Sequence, residues 1–448
     1  MTYSSQPENN ALYPAEQKTR LKRPRVLIIA EKANPESISI HLRGWCHSRA
    51  IAEVADVHIA TLTWNAEAFQ RANFTDFTPI DTALINRPIK WLIKTLRGGK
   101  GKGWTIHTAL MAVEYYYFEF LVWKQLGDQI QAGAFDIVHR VIPSSPTAAS
   151  ILAQKCKNAG VPFILGPLNG GLPWPKEFNA ARHQEKEWLS YIRDFYRLMP
   201  GYRSTRENAA AIIVGSQSTL DQVDQRYQPK CVYFPANAVD TDRFDGQRKR
   251  IAQLPLKLVF VGRLVPYKGG DMLIEAAAPL LRDNKVTLEI IGDGPEQTAL
   301  ERQVQDLGLN DLVTFAGRLP QAQLKEHLAD SDVFAFPSIR EFGGAVVIEA
   351  MAIGLTPVVV GYGGPGEMVT ATTGYKVPLG RREEIINHFR QVLNELVANP
   401  EKVDSLGQQA RQRVLEKFTW GVRAQQTLAV YRWVLDENTP KPVFNFHS

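Results

Sequence analysis

The sequence predicts an α/β protein built as two Rossmann-like domains, each a parallel sheet between layers of helix. Three observations carry this. Short, β-branched apolar runs alternate with longer helical stretches along 448 residues, a length that suits two or three domains. Each early run is followed by a turn signal. The pattern then pauses near Pro235 and starts again.

In the first half, Val26 to Ala30 follows a basic, proline-containing lead-in and reads as the first buried strand. Asp136 to His139, Val161 to Leu165 and Ala211 to Val214 read as further strands. Thr108 to Leu126 is a longer periodic segment, and its aromatic cluster Tyr115 to Phe118 reads as core. After the pause come Leu256 to Val261, Val286 to Ile291, Leu312 to Phe315, Val333 to Phe336 and Pro357 to Val360, alternating with helices. Trp420 to Leu435 is a final amphipathic helix with no strand after it. The expected divisions are a disordered polar tail over 1–22, a first domain over 23–238, a second over 239–419, and the final helix plus a tail over 420–448.

Apolar residues make up 44% of the chain and charged residues 22%, which excludes a disordered chain or a fibre. Cys46, Cys156 and Cys231 are widely spaced with no CxxC pair, so neither a zinc cage nor a disulfide framework follows, and a reducing compartment fits. No apolar run approaches the length of a membrane span. The first residues lack the apolar stretch of a signal peptide, so the expected location is cytoplasmic. Charge is uneven. Residues 1–238 hold 28 Lys/Arg against 20 Asp/Glu, while the remainder holds 24 against 26, so the net charge of +6 comes wholly from the first half. Such an excess suggests an anionic partner.

The strongest chemical signal is Pro337 to Gly354. A strand ends at Phe336, a loop follows, and Gly343 and Gly344 open a helix. Backbone amides at such a start form an anion site, because their N–H groups and the helix dipole both favour negative charge. Glu341 stands before the helix and Glu349 within it, eight residues on; that separation spans about 12 Å if helical. The second signal is Val261 to Gly269, which puts Gly262, Arg263 and Lys268 at the C-terminal mouth of the second sheet, where open α/β sheets bind ligands. A guanidinium and an ammonium there could clamp a diphosphate. Third, Ile291 to Gln297 is a glycine turn containing Gly292. It is similar to a dinucleotide fingerprint, but Gln297 stands where the third glycine belongs, which argues against NAD.

In this order the three motifs resemble the nucleotide-binding domain of the GT-B fold, specifically the large fourth family of retaining glycosyltransferases. Glu341 and Glu349 match that family's paired glutamates, and Arg263 and Lys268 its cationic pair; Gly363 to Glu367 and Thr373 to Tyr375 also fit. The resemblance implies that the first domain binds the acceptor, the second binds the nucleotide sugar, and the final helix returns to the first domain. It implies that Glu349 binds the ribose hydroxyls, that Glu341 meets the donor sugar, and that Arg263 and Lys268 hold the diphosphate with help from the amides after Gly343. Neither a metal nor another cofactor is expected. Asp240-Thr-Asp242, a metal motif in the other major glycosyltransferase fold, falls here at the interdomain hinge and reads as a turn.

The first half fits the family less closely. The loop Ala33 to Ser37 lacks the family's glycines, and Val141 stands where a common pattern has a second histidine. His139 is the candidate for contacting the sugar, and Gly166 to Gly171 resembles a glycine turn at the cleft. Thr82 to Val113 contains no acidic residue. Within it, Ile89, Leu92, Ile93 and Leu96 share one helical face while Lys90, Lys94 and Arg97 share another. A short basic amphipathic helix over 87–102 could lie on an anionic membrane, which would place the protein at the inner membrane face; a solvated basic face is the other reading. The expected activity is transfer of a hexosyl group from a nucleotide diphosphate sugar to a hydroxyl acceptor, lipid-linked or anionic, with no nucleic-acid partner. A nucleotide-sugar epimerase of the same fold and a non-catalytic nucleotide-sugar sensor are the alternatives.

Overall fold

The computed structural model describes residues 23–85, 104–178, 200–241, 244 and 246–446. Within them lie two parallel sheets. The first has β1 (Arg25–Ala30), β2 (Asp56–Leu62), β3 (Phe77–Ile80), β4 (Ile137–Ile142), β5 (Phe163–Leu168), β6 (Ala211–Val214) and β7 (Cys231–Tyr233), in the spatial order β3-β2-β1-β4-β5-β6-β7. The second has β8 (Leu256–Val261), β9 (Val286–Ile291), β10 (Val313–Gly317), β11 (Val333–Phe336), β12 (Thr356–Val360) and β13 (Tyr375–Val377), in the order β10-β9-β8-β11-β12-β13. Each order reverses once, between β1 and β4 and between β8 and β11. Loops leaving the carboxyl ends of those two pairs diverge to opposite faces and leave a crevice.

Alternation along β1 explains why the sheet is covered on both sides. Val26, Ile28 and Ala30 join a core that continues into the second domain. Leu27 and Ile29 face the other way, onto Tyr115 and Phe118 of the helix Trp104–Gln131. The central strands are mostly apolar because both faces are buried, with His139 and Arg140 of β4 the buried polar exceptions there. The short outer strands carry weaker signals: β3 contains Pro79, tolerated because an edge strand has one unpaired side.

The final helix, Trp420–Leu435, starts at Thr419, whose hydroxyl accepts from the Val422 amide, and Val239 pairs with Thr419 beside it. The helix packs on Ser39–Val54 of the first domain. Polar contacts from both domains help fix it there. His47 Nε2 lies 3.1 Å from the Thr427 hydroxyl, and His139 Nδ1 lies 2.7 Å from the Tyr431 hydroxyl. The tail 1–22 and the basic segment 87–102 lie outside the described residues. Among those described, no helix is long and apolar enough to cross a membrane.

Tyr431 and His139 are both fully buried, so deleting the hydroxyl strands a ring nitrogen where water cannot replace it. Tyr431→Phe should therefore cost about 1–3 kcal/mol of stability. Chemical unfolding of the variant beside the parent measures this, and an unchanged midpoint would show that the contact carries no weight.

Candidate functional site

Adjacent strands β8 and β11 send two loops into the crevice of the second sheet. The loop after β8 holds Gly262 and Arg263 and ends in a 3-10 turn, Pro266–Lys268. The loop after β11 runs from Pro337 to Gly344, where the helix Ala345–Ile353 begins. Gly344 has φ of 57°, a conformation that lets the chain turn sharply into the helix. Their side chains meet. Lys268 Nζ donates to Glu341 Oε2, while Glu341 Oε1 accepts from the backbone amides of Gly343 (3.3 Å) and Gly344 (3.1 Å). Burial alone would push the Glu341 carboxyl up. The Lys268 charge and hydrogen bond, with the two glycine amides, outweigh it and hold the carboxyl below its usual range.

The other expected residues surround this pair. Arg263 is exposed at the end of β8, and Gly262 sits beside the turn at Gly292. Gly292 has φ of 145°, and a Cβ there would fall 1.8 Å from the Gly262 carbonyl, so no side chain fits between these loops. Glu349 is half-buried in the helix. The helix begins later than the 341–349 spacing suggested, so Glu349 lies little more than one turn in, with Glu341 folded back over the helix start.

His139 does not join the group. It is fully buried, Nδ1 is taken by Tyr431 and Nε2 lies 2.8 Å from the Gly166 carbonyl, and burial lowers its pKa to about 4. The expectation that His139 faces the sugar is therefore corrected: both nitrogens are spent inside the first domain, tying β4 to β5 and to the final helix. In Asp240-Thr-Asp242, the Asp240 carbonyl accepts from the Phe244 amide at 3.0 Å, and Asp242 lies outside the described residues. Among the described residues, no group of three or more His, Cys, Asp or Glu is placed to hold a metal ion.

The first domain supplies the facing wall, and most of it was not read from the sequence. A Cβ built on Gly343 would lie 2.3 Å from Asn237 Nδ2 and 3.3 Å from Asn169 Nδ2, so two amides press against the helix start. Trp174 packs edge-on against Tyr267 at 5.8 Å, and the Arg340 guanidinium stands 4.8 Å over its ring. The Tyr362 hydroxyl donates to the Pro173 carbonyl at 2.8 Å. Arg43 reaches Ser144 and Asn237 from the helix Ser39–Val54. The turn at Gly166 to Gly171, which brings Asn169 forward, was the sequence signal for this wall. Trp174 and Arg43 lie in stretches with no motif.

Residues 242–413 match the sequence model of the family described as glycosyl transferases group 1. The α-maltose-1-phosphate synthase of Mycolicibacterium smegmatis is 29% identical over 299 residues, covering 61% of this chain and 74% of the relative. A GDP-mannose-dependent α-(1-6)-phosphatidylinositol monomannoside mannosyltransferase of the same organism is 35% identical over 204 residues, covering 41% of this chain and 52% of the relative. Among solved structures, a glycosyltransferase from Rickettsia africae aligns with a TM-score of 0.62 at 12% identity, covering 93% of this chain and 100% of the other. The Anabaena protein HepE in complex with UDP and glucose aligns with a TM-score of 0.55 at 16% identity, covering 91% and 98%. The fold is GT-B. Residues 242–413 are similar to the group 1 glycosyltransferases, and the chain resembles the fourth family, as its motifs implied.

The Glu341 carboxyl sits below its usual range when folded. Its contribution to stability is therefore complete above the unfolded value and disappears as pH falls through the folded one. Between about pH 6 and about pH 3 the parent should lose more stability than Glu341→Gln, which has no charge to lose. Parallel acid limbs in chemical unfolding of the two proteins would contradict the ion pair.

Proposed function

We propose that the protein is a retaining, metal-independent hexosyltransferase that takes a nucleotide diphosphate sugar and passes its sugar to a hydroxyl acceptor in glycolipid, polysaccharide or other glycoconjugate synthesis. The observation that carries this reading is the Lys268–Glu341 pair closed over the Gly343 and Gly344 amides, with Arg263 exposed at the neighbouring strand end. A departing diphosphate develops negative charge, and Arg263 with the Lys268 N–H groups not given to Glu341 would be the donors placed to meet it. Glu349 accepts hydrogen bonds from the ribose; Glu341 meets the sugar. The acceptor lies against the first domain.

Glu341 is also a poor candidate for a covalent nucleophile. Its charge is already engaged by Lys268 and two amides, which lowers its basicity and fixes its orientation. This supports same-face departure, in which the leaving phosphate takes the acceptor proton, over a double displacement of the kind retaining hydrolases use. The names of two relatives, an α-maltose-1-phosphate synthase and a phosphatidylinositol monomannoside mannosyltransferase, involve phosphate-bearing molecules and agree with an anionic acceptor. The basic sequence at 87–102 would bring the protein to an anionic membrane surface if that acceptor is lipid-linked.

A cognate nucleotide diphosphate at a hundred times its dissociation constant should stabilise the protein by about 2.7 kcal/mol, and a chelator should not reverse this. NAD should do nothing; a thermal shift with NAD alone would sink the reading. Labelled nucleotide sugar should be passed on or slowly hydrolysed, whereas isomerised donor would identify an epimerase and intact donor a sensor.

Calorimetric titration separates the two glutamates. Glu349→Ala should weaken bare nucleotide diphosphate and nucleotide sugar alike, by about tenfold or more, since charged hydrogen bonds are worth about 1.5–3 kcal/mol. Glu341→Ala should spare the bare nucleotide and lower sugar-nucleotide affinity or turnover. Equal loss of bare nucleotide in both variants would refute the assignment. For the basic segment, Lys90, Lys94 and Arg97 changed together to Gln should reduce sedimentation with anionic liposomes and leave donor binding intact. Unchanged sedimentation would make that face ordinary surface charge.

A further inference from the structure

Several half-buried arginines of this fold meet a carboxylate, whereas Arg390 and Arg411 give their hydrogen bonds to neutral oxygens away from the cleft-facing glycine loops. Arg25 pairs with Asp136, Arg248 with Asp332 and Asp404, and Arg382 with Asp271 and Glu275. Arg43 does not. Its Nη2 donates to the Ser144 hydroxyl at 2.5 Å and its Nη1 to the Asn237 side-chain oxygen at 3.4 Å, both neutral acceptors. Burial pushes its pKa down to about 10, with no carboxylate among the described residues opposing the shift. Keeping a guanidinium there without an anion costs desolvation that its hydrogen bonds only partly offset.

Its position gives that cost a use. Ser39–Val54 follows β1, at the point where the strand order of the first sheet reverses, and Ser144 belongs to the loop after β4 on the other side of that point. Asn237 touches Arg43 through its oxygen and approaches Gly343 with its nitrogen, so one amide separates the guanidinium from the glycine helix start. Arg43 thus stands across Asn237 from the loop that carries Glu341, on the first-domain side. The neighbouring cation, Arg423, is different: it is almost fully buried and ringed by Phe234, Phe418 and Phe446, out of reach of a ligand. His47, one turn beyond Arg43, is pushed well down by burial and by the nearby His139, Arg423 and Arg43, so the local positive charge rests on the arginines.

We infer that Arg43 binds a phosphate group lying in the cleft, either the diphosphate of the donor or a phosphate carried by the acceptor. The inference rests on the proposed transferase reading for the identity of those two ligands. A planar fork suits phosphate oxygens, and the five N–H donors of a guanidinium exceed the two contacts it makes here. Arrival of the anion would remove the penalty of a buried, unpaired charge, so the residue would contribute to closing the two walls on a ligand as well as to holding it.

The test uses the full chain, Arg43→Gln and Arg43→Lys, titrated with UDP, GDP, ADP, CDP, TDP, pyrophosphate and inorganic phosphate by calorimetry and thermal shift. If the phosphate is the donor's, Arg43→Gln weakens the bound nucleoside diphosphate by about tenfold or more, the size of a charged hydrogen bond. If it is the acceptor's, nucleotide affinity holds while stabilisation of the nucleotide-saturated protein by inorganic phosphate is lost. Arg43→Lys keeps the charge without the fork, so it should fall between parent and Gln in whichever arm responds. It carries the test alone if the Gln variant does not fold, with parent-like binding then counting against the inference. Parent-like binding of every probe by folded Arg43→Gln overturns it. A parent that ignores UDP, GDP, ADP, CDP and TDP alike but is stabilised by pyrophosphate through Arg43 would refute the transferase reading and leave the phosphate site standing.

Discussion

The site depends on one ion pair, Lys268 with Glu341, closed over the amides of Gly343 and Gly344. It joins the loops after β8 and β11, which are neighbours only because the strand order places them side by side at its reversal. Half-buried pairs of this kind add little net stability when weighed against apolar substitutes, but loss of one partner leaves a charge where water is scarce. Their value here is geometric. The carboxylate holds two backbone N–H groups and one ammonium on a common point, so the free protein already has its donors converging. Glu341 occupies that point and offsets the Lys268 charge, so a ligand phosphate gains from the pair only through the N–H groups of Lys268 that the carboxylate leaves over. Lys268 has three N–H donors, enough to keep Glu341 while reaching an anion.

This arrangement also explains why the two domains meet so closely. Glu367, from the second domain, accepts from the Tyr233 hydroxyl at 2.7 Å and from the Gln217 amide at 3.0 Å, both in the first. Trp174 is wedged between Tyr267 and Arg340, one residue from Lys268 and Glu341 respectively. The residues that shape the ion pair's loops are thus the same residues that touch the opposite wall. Any movement of one domain against the other must move the aromatic wedge beside Lys268, so cleft geometry and charge geometry are mechanically linked.

Much of the second sheet was legible because its chemistry is local. β8, β9 and β11 are apolar runs with sharp ends, and the sequence reading reproduces their limits. β2, β3, β7 and β13 were passed over: β2 carries His58 and Thr61 among its apolar residues, β3 contains a proline, and β7 and β13 have three residues each. Periodicity needs length and contrast, and these strands have too little of one or the other. The facing wall was illegible for a different reason. Asn237, Trp174 and Arg43 are distant in sequence and belong to no motif; only the folding of the first domain brings them to one wall. His139 shows the converse. A histidine at a strand end resembles a site residue, yet strand alternation turns it inward onto Tyr431, a partner 292 positions away.

The uneven charge of the chain acquires a physical meaning once burial is considered. Exposed lysines and arginines act over about 8–10 Å in physiological salt and are interchangeable in that role. A buried charge is screened far less and acts in a fixed direction. In the first domain, burial drives His139 down to about 4 and His47 well down, so these rings are neutral near pH 7 and spend their nitrogens on packing. The arginines cannot shed their protons in the same way. Arg423 is stabilised by the faces of three aromatic rings and by Gln426, which fixes the end of the crossing segment. Among the described residues Arg43 meets neutral oxygens alone, and it stands on the first-domain side of the glycine helix start. One cation has therefore been absorbed by the fold, while its neighbour is the one proposed to meet a ligand phosphate.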